Sequence, residues 1–274
     1  MVNSDVNPIV SVVMATYNEP AEIISTSIES ILKQTLTSIE LIIIDDSTNK
    51  ETIDRINRFA ESDDRIVIIR NKERIGFVRA LNIGLQQSKG RYIARMDGDD
   101  IAIINRLELQ VKCFEQNSQY DVIGGNINII DSTGNVVSYR SYPNSSLLIR
   151  FWTIFRSPVA HPTVMLKKDI VVKGYLYDED FKKAEDLEFW LRLMNAGFRF
   201  YNLNQCLLNY RISNQFAVKR SNDQLRFNQK ARIKNFSWRY PFLTSLSILI
   251  SGIYTIIPQH LISKIYEIEN KKLK

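Results

Sequence analysis

Four short apolar runs in the first hundred residues constrain this chain more than any other feature: "PIVSVVMA", "IELIII", "RIVIIR" and "RYIARM", each followed by a polar break. A run without polar alternation reads as a strand buried on both faces, the pattern of a parallel sheet. The stretches between them supply the covering helices. Ile23, Ile24, Ile28, Ile31 and Leu32 fall at helical spacing within residues 21–34. Residues 50–61 read as a second helix. Val78, Leu81 and Leu85 share one face of "GFVRALNIGLQQSKG", with Gly90 as the expected C-cap. This alternation predicts an α/β fold with helices on both sides of the sheet.

After residue 101 the rhythm changes. Residues 102–117 predict a helix, and "YDVIGGNINIIDSTGNVVSY" predicts two strands around a turn at Ser132–Asn135. "HPTVMLKKDIV" reads as a short strand plus helix, and "AEDLEFWLRLMNAG" as a helix. There is no internal repeat and no low-complexity linker. A length of 274 residues with 45% hydrophobic content suits one large α/β domain, alone or with an appendage. Cys113 and Cys206 stand too far apart for a metal motif or a disulfide framework, so a reducing compartment is expected. "MVNSDVNPIV" lacks a charged n-region and a long apolar h-region, so no signal peptide is expected.

The net charge is +6, which suits nucleic acid, anionic lipid or a phosphorylated substrate without choosing among them. Against that basic background, three of the four strand ends are polar. The first ends in Thr16, Tyr17, Asn18 and Glu19, the second in Asp45 and Asp46, the fourth in Asp97, Asp99 and Asp100. Ligands of open parallel sheets bind outside the carboxyl ends of the strands. Asp and Asn are also good turn and capping residues, which accounts for one or two of these groups. A nucleotide site accounts for all three: some carboxylates accept from base and ribose, and others hold Mg²⁺ or Mn²⁺, which offsets their repulsion and bridges to a diphosphate.

The segments "SVVMATYNEP", "ELIIIDDST", "RIGFVRALNIGL", "ARMDGDD", "HPTVM" and "AEDLEFWLRL", in this order, resemble the family-two inverting glycosyltransferases of GT-A fold. The resemblance covers about residues 8–211, and is nearest to the bacterial enzymes that build capsule, exopolysaccharide and O-antigen units. It implies a Rossmann-like, mostly parallel sheet over residues 1–215, with a nucleotide-binding half at about 1–101 and an acceptor-binding half at about 102–215. It also implies that Thr16, Asn18 and Glu19 line the nucleotide pocket, that Asp46 contacts base or ribose, and that Asp97 and Asp99 form a D-x-D binding Mn²⁺ or Mg²⁺ and the diphosphate. Arg79 and Arg211 are counted with the donor-binding groups. Gly98 stands where this subgroup usually has Ala.

Inverting transfer needs a base for the acceptor hydroxyl. Glu185 and Asp186 lie at an expected helix N-terminus, where acids also favour the helix dipole. The family's Glu-Asp pair implies Asp186 as base and Glu185 as its orienting neighbour. His161 is one of two histidines, and its shared motif implies an acceptor or diphosphate contact beside the plain structural reading. Trp190 is a candidate floor for the acceptor pocket, with core packing as the alternative. The implied donor is a nucleotide sugar, UDP-linked, and the implied acceptor a saccharide carried on a lipid diphosphate. Competing functions are a nucleotidyltransferase that makes activated sugars, a nucleic-acid binder using the basic face, and a degenerate scaffold. "ATYNEP" has no glycine for the phosphate loop of the first. No G-x-G-x-x-G or G-x-x-x-x-G-K-[ST] occurs, which argues against dinucleotide enzymes and P-loop NTPases. Positive charge gathers after residue 218, away from the acidic crevice, so no nucleic acid is expected.

Residues 216–274 form a basic and apolar extension. Lys219 to Arg239 contains seven basic residues and one acid, Asp223, and "YPFLTSLSILISGIYTIIPQHLIS" contains no Asp, Glu, Lys or Arg. Phe242–Ile257 is either a core helix or a membrane contact. Sixteen residues reach about 24 Å at 1.5 Å each, short of a hydrocarbon core of about 30 Å. Pro258 and His260 interrupt any extension. A cytoplasmic enzyme lying peripherally on an anionic inner membrane face is therefore expected rather than a spanning one.

Overall fold

The structure is a computed structural model, described over residues 7–212 and 222–257. Strand β1 (Val10–Thr16), helix α1 (Ala21–Leu32), β2 (Ile39–Asp45), α2 (Lys50–Ser62), β3 (Ile66–Arg70), α3 (Phe77–Gln87) and β4 (Tyr92–Asp97) alternate as expected. Every residue of β1 and β2 is buried. The period of two divides β1 between two cores. Val10, Val12 and Met14 pack with Ile24, Ile28 and Ile31 on one face of the sheet. Val13 and Ala15 pack with Leu81 and Leu85 on the other.

The expected C-cap at Gly90 is corrected. Helix α3 stops at Gln87 with Ser88 as its cap, whose N–H donates to Gly84 O. Gly90 serves a close approach instead: its N–H reaches Ser11 Oγ at 2.7 Å, and a Cβ there would lie 2.5 Å from Ser11 N.

The second half follows as β5 (Ile101–Ala102), α4 (Arg106–Gln116), β6 (Val122–Ile130), β7 (Val136–Arg140), α5 (Ser146–Trp152), a 3₁₀ turn at His161–Thr163, β8 (Met165–Lys167), α6 (Asp169–Val172), α7 (Glu185–Asn195) and β9 (Phe200–Arg211). The helix expected from residue 102 begins four residues later, because Ile101 and Ala102 pair with β9. The long β9 has no counterpart among the sequence expectations. It runs parallel to β6, with irregular register around Asn126.

The sheet order is β3-β2-β1-β4-β8-β6-β9-β5, with β7 on β6. β1 to β4 are mutually parallel, while β8 is antiparallel to both β4 and β6. The sheet is thus parallel in its first half and mixed in its second. Strand order reverses between β1 and β4, which opens a crevice beyond their carboxyl ends. At the C-terminus, α8 (Asn222–Lys234) and α9 (Pro241–Ile256) pair with each other, and α8 packs on α7 through a small core of Phe181, Ala184, Leu187 and Ala231. Of the basic and apolar extension, Lys219, Pro258 and His260 lie outside the described residues.

Candidate active site

The loops leaving β1, β2 and β4 open into one cavity of about 430 Å³. Register brings them together: Thr16 pairs with Asp45 across β1 and β2, and Ala15 with Asp97 across β1 and β4. Thr16, Tyr17, Glu19, Asp46, Asp97 and Asp99 all line the cavity. Glu19 Oε2 accepts from the Tyr17 N–H at 2.8 Å and from the Thr16 hydroxyl. Burial raises the pKa of Glu19.

Asn18 is placed as a strut rather than a wall. It adopts φ 61°, a left-handed conformation that Asn tolerates. Its Oδ1 accepts from the Thr48 and Asn49 N–H groups, each at 2.8 Å, which ties the first loop to the second. Asp46 organises the entry to α3. Its Oδ2 accepts from Ile75 N at 3.1 Å and Gly76 N at 3.0 Å, and its Oδ1 from Asn71 Nδ2 at 2.8 Å. Gly76 has φ 89°, so a side chain there is strained. Asp45 is held by Arg70 at 2.9 Å. Arg79 is not among the cavity residues; it is well exposed and lies 3.5 Å from Glu179. Arg74 takes the cavity position instead, with its guanidinium 3.9 Å from the Tyr17 ring centroid.

Carboxylate oxygens of Asp97, Asp99 and Asp100 lie within 4.8 Å of one another. Arg95 grips both oxygens of Asp97, one through Nη1 at 2.7 Å. Asp100 Oδ1 accepts from Arg211 N at 2.9 Å, while its Oδ2 is buried with no hydrogen-bond partner. Asp99 is pushed up to about 6, first by burial of its carboxyl in the cavity and then by repulsion from Asp97 and Glu19. Burial also raises Asp100, with Asp97 and Asp99 adding to it. An orphaned buried oxygen and crowded hard ligands fit a dication. The Arg211 guanidinium spends its donors on backbone: Nε to Asp99 O at 2.9 Å, and Nη1 to Asp131 O at 3.2 Å and Ser132 O at 3.1 Å. It clasps the acidic loop to the β6–β7 turn.

Glu185 and Asp186 begin α7, just after Ala184 at φ 58°. Asn18 and Ala184 are the only non-glycine residues with positive φ among the described residues, and each adjoins a site segment. Asp186 accepts from the Ser157 hydroxyl, and burial raises its pKa. Glu185 is pushed up to about 7 by burial, then by the Asp186 charge. His161 Nε2 and the Tyr177 hydroxyl share a hydrogen bond of 2.8 Å, and Nδ1 lies 3.9 Å from Glu185 Oε1. Burial, followed by the charge of Arg95, holds the imidazole well below its ordinary value, so it is neutral near pH 7. Trp190 is fully buried and meets His161 edge-on at 5.8 Å. It supports the site from the core and does not floor a pocket.

Arg95 is the residue that sequence reading missed. It is buried, and its charge acts on Asp97, Glu185 and Asp186 alike. The available signal was a lone cation inside the apolar run "YIARM". Arg106, fully buried beneath it, donates to Arg95 O at 2.8 Å and is lowered to about 9 by burial and then by Arg95.

A half-parallel sheet with acidic strand ends at its switch point, facing a half-buried carboxylate pair, is the arrangement of a GT-A-fold glycosyltransferase. The comparisons with known proteins make the assignment particular. Residues 11–174 match the model described as "Glycosyl transferase family 2", and the chain belongs to that family. It is 36% identical to the O-antigen biosynthesis glycosyltransferase WbnJ of Escherichia coli, over 77% of this chain and 82% of that protein. It is 34% identical to the putative glycosyltransferase EpsE of Bacillus subtilis, over 78% of this chain and 77% of that one. Among solved structures, S. aureus TarS 1-349 in complex with UDP-GlcNAc superposes with a TM-score of 0.65 at 18% identity, covering 82% of this chain and 66% of that one. The mannosyltransferase PcManGT from Pyrobaculum calidifontis, in complex with GDP-Man and Mn²⁺, gives 0.60 at 16% identity, covering 92% and 70%. These two likenesses concern the fold. The nucleotidyltransferase and nucleic-acid-binder readings give way to family membership.

Proposed function

We propose that this glycosyltransferase moves a hexose, with inversion, from a UDP-linked sugar to a saccharide carried on a lipid diphosphate, in the assembly of a surface polysaccharide. The observation that carries the reading is the convergence of three acidic strand ends on one cavity, with the Glu185–Asp186 pair electrostatically coupled to it through Arg95. The names of WbnJ and EpsE support the polysaccharide context. The nucleotide bound to TarS supports a UDP donor.

Asp46, Thr16 and Glu19 present acceptors for base and ribose. Asp97, Asp99 and Asp100 would hold Mn²⁺ or Mg²⁺, which supplies Lewis-acid stabilisation of the departing diphosphate. Asp186 takes the proton from the acceptor hydroxyl, with the Ser157 hydroxyl beside its carboxylate. Glu185 serves as the orienting neighbour of Asp186, whose charge in turn helps push the Glu185 pKa up. Neutral His161, held by Tyr177 and backed by Trp190, offers a hydrogen bond to the acceptor without adding charge. Residues 1–215 serve as the catalytic domain and 216–274 as a peripheral contact with the anionic inner membrane face. No helix among the described residues is long and apolar enough to cross a membrane.

A thermal-shift screen of nucleotide sugars with Mn²⁺ tests the donor class. A UDP-sugar should raise Tm only when the ion is present. Stabilisation by GDP-sugars alone, or by none, overturns the UDP assignment.

A further inference from the structure

Helix α9 is built inside out. Its two buried residues are Ser247 and Ser251, while Phe242, Leu249, Ile253 and Ile256 are 78%, 61%, 49% and 82% exposed. The exposed four follow one another at steps of seven, four and three, which places them along one side of the helix. Ser247 Oγ accepts from buried Arg232 at 2.8 Å, so the polar side is the one turned toward α8. A helix with this orientation is unfavourable in water and favourable against an apolar medium.

Beside it lies a cavity of about 330 Å³ between α5, the end of α7 and α9. Arg150, Arg199 and Arg239 line it, and its apolar walls include Leu147, Phe198 and Leu243. None of the three arginines is paired with an acid among the described residues. Arg150 stacks on Tyr240 at 4.2 Å and is lowered by burial, with Arg239 adding repulsion. Leu147 is 77% exposed at the rim, and Leu148 and Phe151 beside it on α5 are also exposed. Uncompensated cations under an apolar rim match an anionic head with hydrocarbon attached. A free anion would use the arginines and leave the rim unexplained.

We infer that this cavity holds the phosphate of an anionic membrane phospholipid, with the outward sides of α5 and α9 seated among the acyl chains around it. The inference rests on the membrane contact proposed above and names its ligand and residues. It places a headgroup site at the far end of α7 from Glu185 and Asp186, about 16 Å along an eleven-residue helix. Docking there would hold the catalytic cleft one helix length from the bilayer surface.

Flotation of the full chain with phosphatidylcholine vesicles, with and without phosphatidylglycerol, tests it against the double variant Arg199→Glu/Arg239→Glu. Lys33→Glu/Lys112→Glu, on exposed parts of α1's cap and α4, changes net charge equally. The wild type should float with phosphatidylglycerol, the arginine variant should bind at least about tenfold more weakly, and the lysine variant should match wild type. UDP binding should be equal in all three. If wild type ignores the anionic vesicles, the membrane reading itself fails. If it floats and the arginine variant floats equally, or both variants lose binding alike, membrane contact stands and the headgroup site is refuted. Phosphate-specific stabilisation of the lipid-free protein that the arginine variant loses, together with flotation that the same variant keeps, assigns the cavity to free phosphate and overturns the lipid.

Discussion

At the scale of single residues, charge placement governs the site. Arg95 is a buried cation whose charge reaches both the acidic cluster and the Glu185–Asp186 pair, so it offsets repulsion within both sets of carboxylates. Metal and donor should be linked through the cluster. Asp99→Ala is expected to abolish Mn²⁺-dependent UDP binding in calorimetry while leaving the fold intact; UDP binding as tight as wild type, with or without Mn²⁺, would refute the metal assignment. Asp186→Asn keeps shape and removes the base, so turnover should fall by about 10²–10⁴ with donor affinity nearly unchanged. Retention of more than about a tenth of wild-type turnover would move the base to Glu185 first. The pair also sets a pH dependence. Turnover should rise as pH passes about 7, where Glu185 loses its proton and the pair takes its full charge. Glu185→Gln removes the neighbouring charge, so the midpoint should move to lower pH; an unmoved midpoint would separate the two groups.

At the scale of elements, close approaches decide what the local pattern leaves open. Gly90 and Gly98 differ in what an added side chain would meet. A Cβ on Gly90 would meet the backbone of β1 at 2.5 Å, and backbone cannot yield. A Cβ on Gly98 would meet the tip of the Ile24 side chain at 3.1 Å, and that tip can turn. Gly90→Ala should therefore cost about 1–3 kcal/mol or more, while Gly98→Ala, the residue usual in the resembled subgroup, should stay within about 1 kcal/mol. Urea denaturation of the two variants checks the order, and equal losses would contradict it. The helices α1 to α3 and strands β1 to β4 were legible because their apolar periodicity is local. β9 was not, because its "FYNLNQCLLNY" alternates irregularly and is stabilised by β6, some eighty residues earlier.

At the scale of the whole molecule, the carboxylates of the site tie stability to pH. Glu185 has its folded pKa near 7, above the ordinary glutamate value of 4.5, so the folded state binds the extra proton between those limits. Stability gained from it is full below about 4.5 and is lost as pH rises to about 7. Asp99, Asp100, Asp186 and Glu19 shift in the same direction. The metal-free protein should thus melt at lower temperature at about pH 8 than at about pH 5.5, and Glu185→Gln should reduce the difference; a rising Tm over that interval would overturn the sign. What the sequence determined alone was the α/β class, the three acidic strand ends and the carboxylate pair, since strand period and motif order are properties of neighbouring residues. Only the tertiary structure decided which of those residues meet. It set Arg74 rather than Arg79 in the cavity, made Asn18 and Arg211 into struts, buried Trp190 behind His161, and put Arg95 between the two carboxylate sets. It also turned the serines of α9 inward and its large apolar side chains outward. Those outcomes depend on register and packing between segments far apart in the chain, where burial converts a lone charge or an apolar side into a constraint on its neighbours.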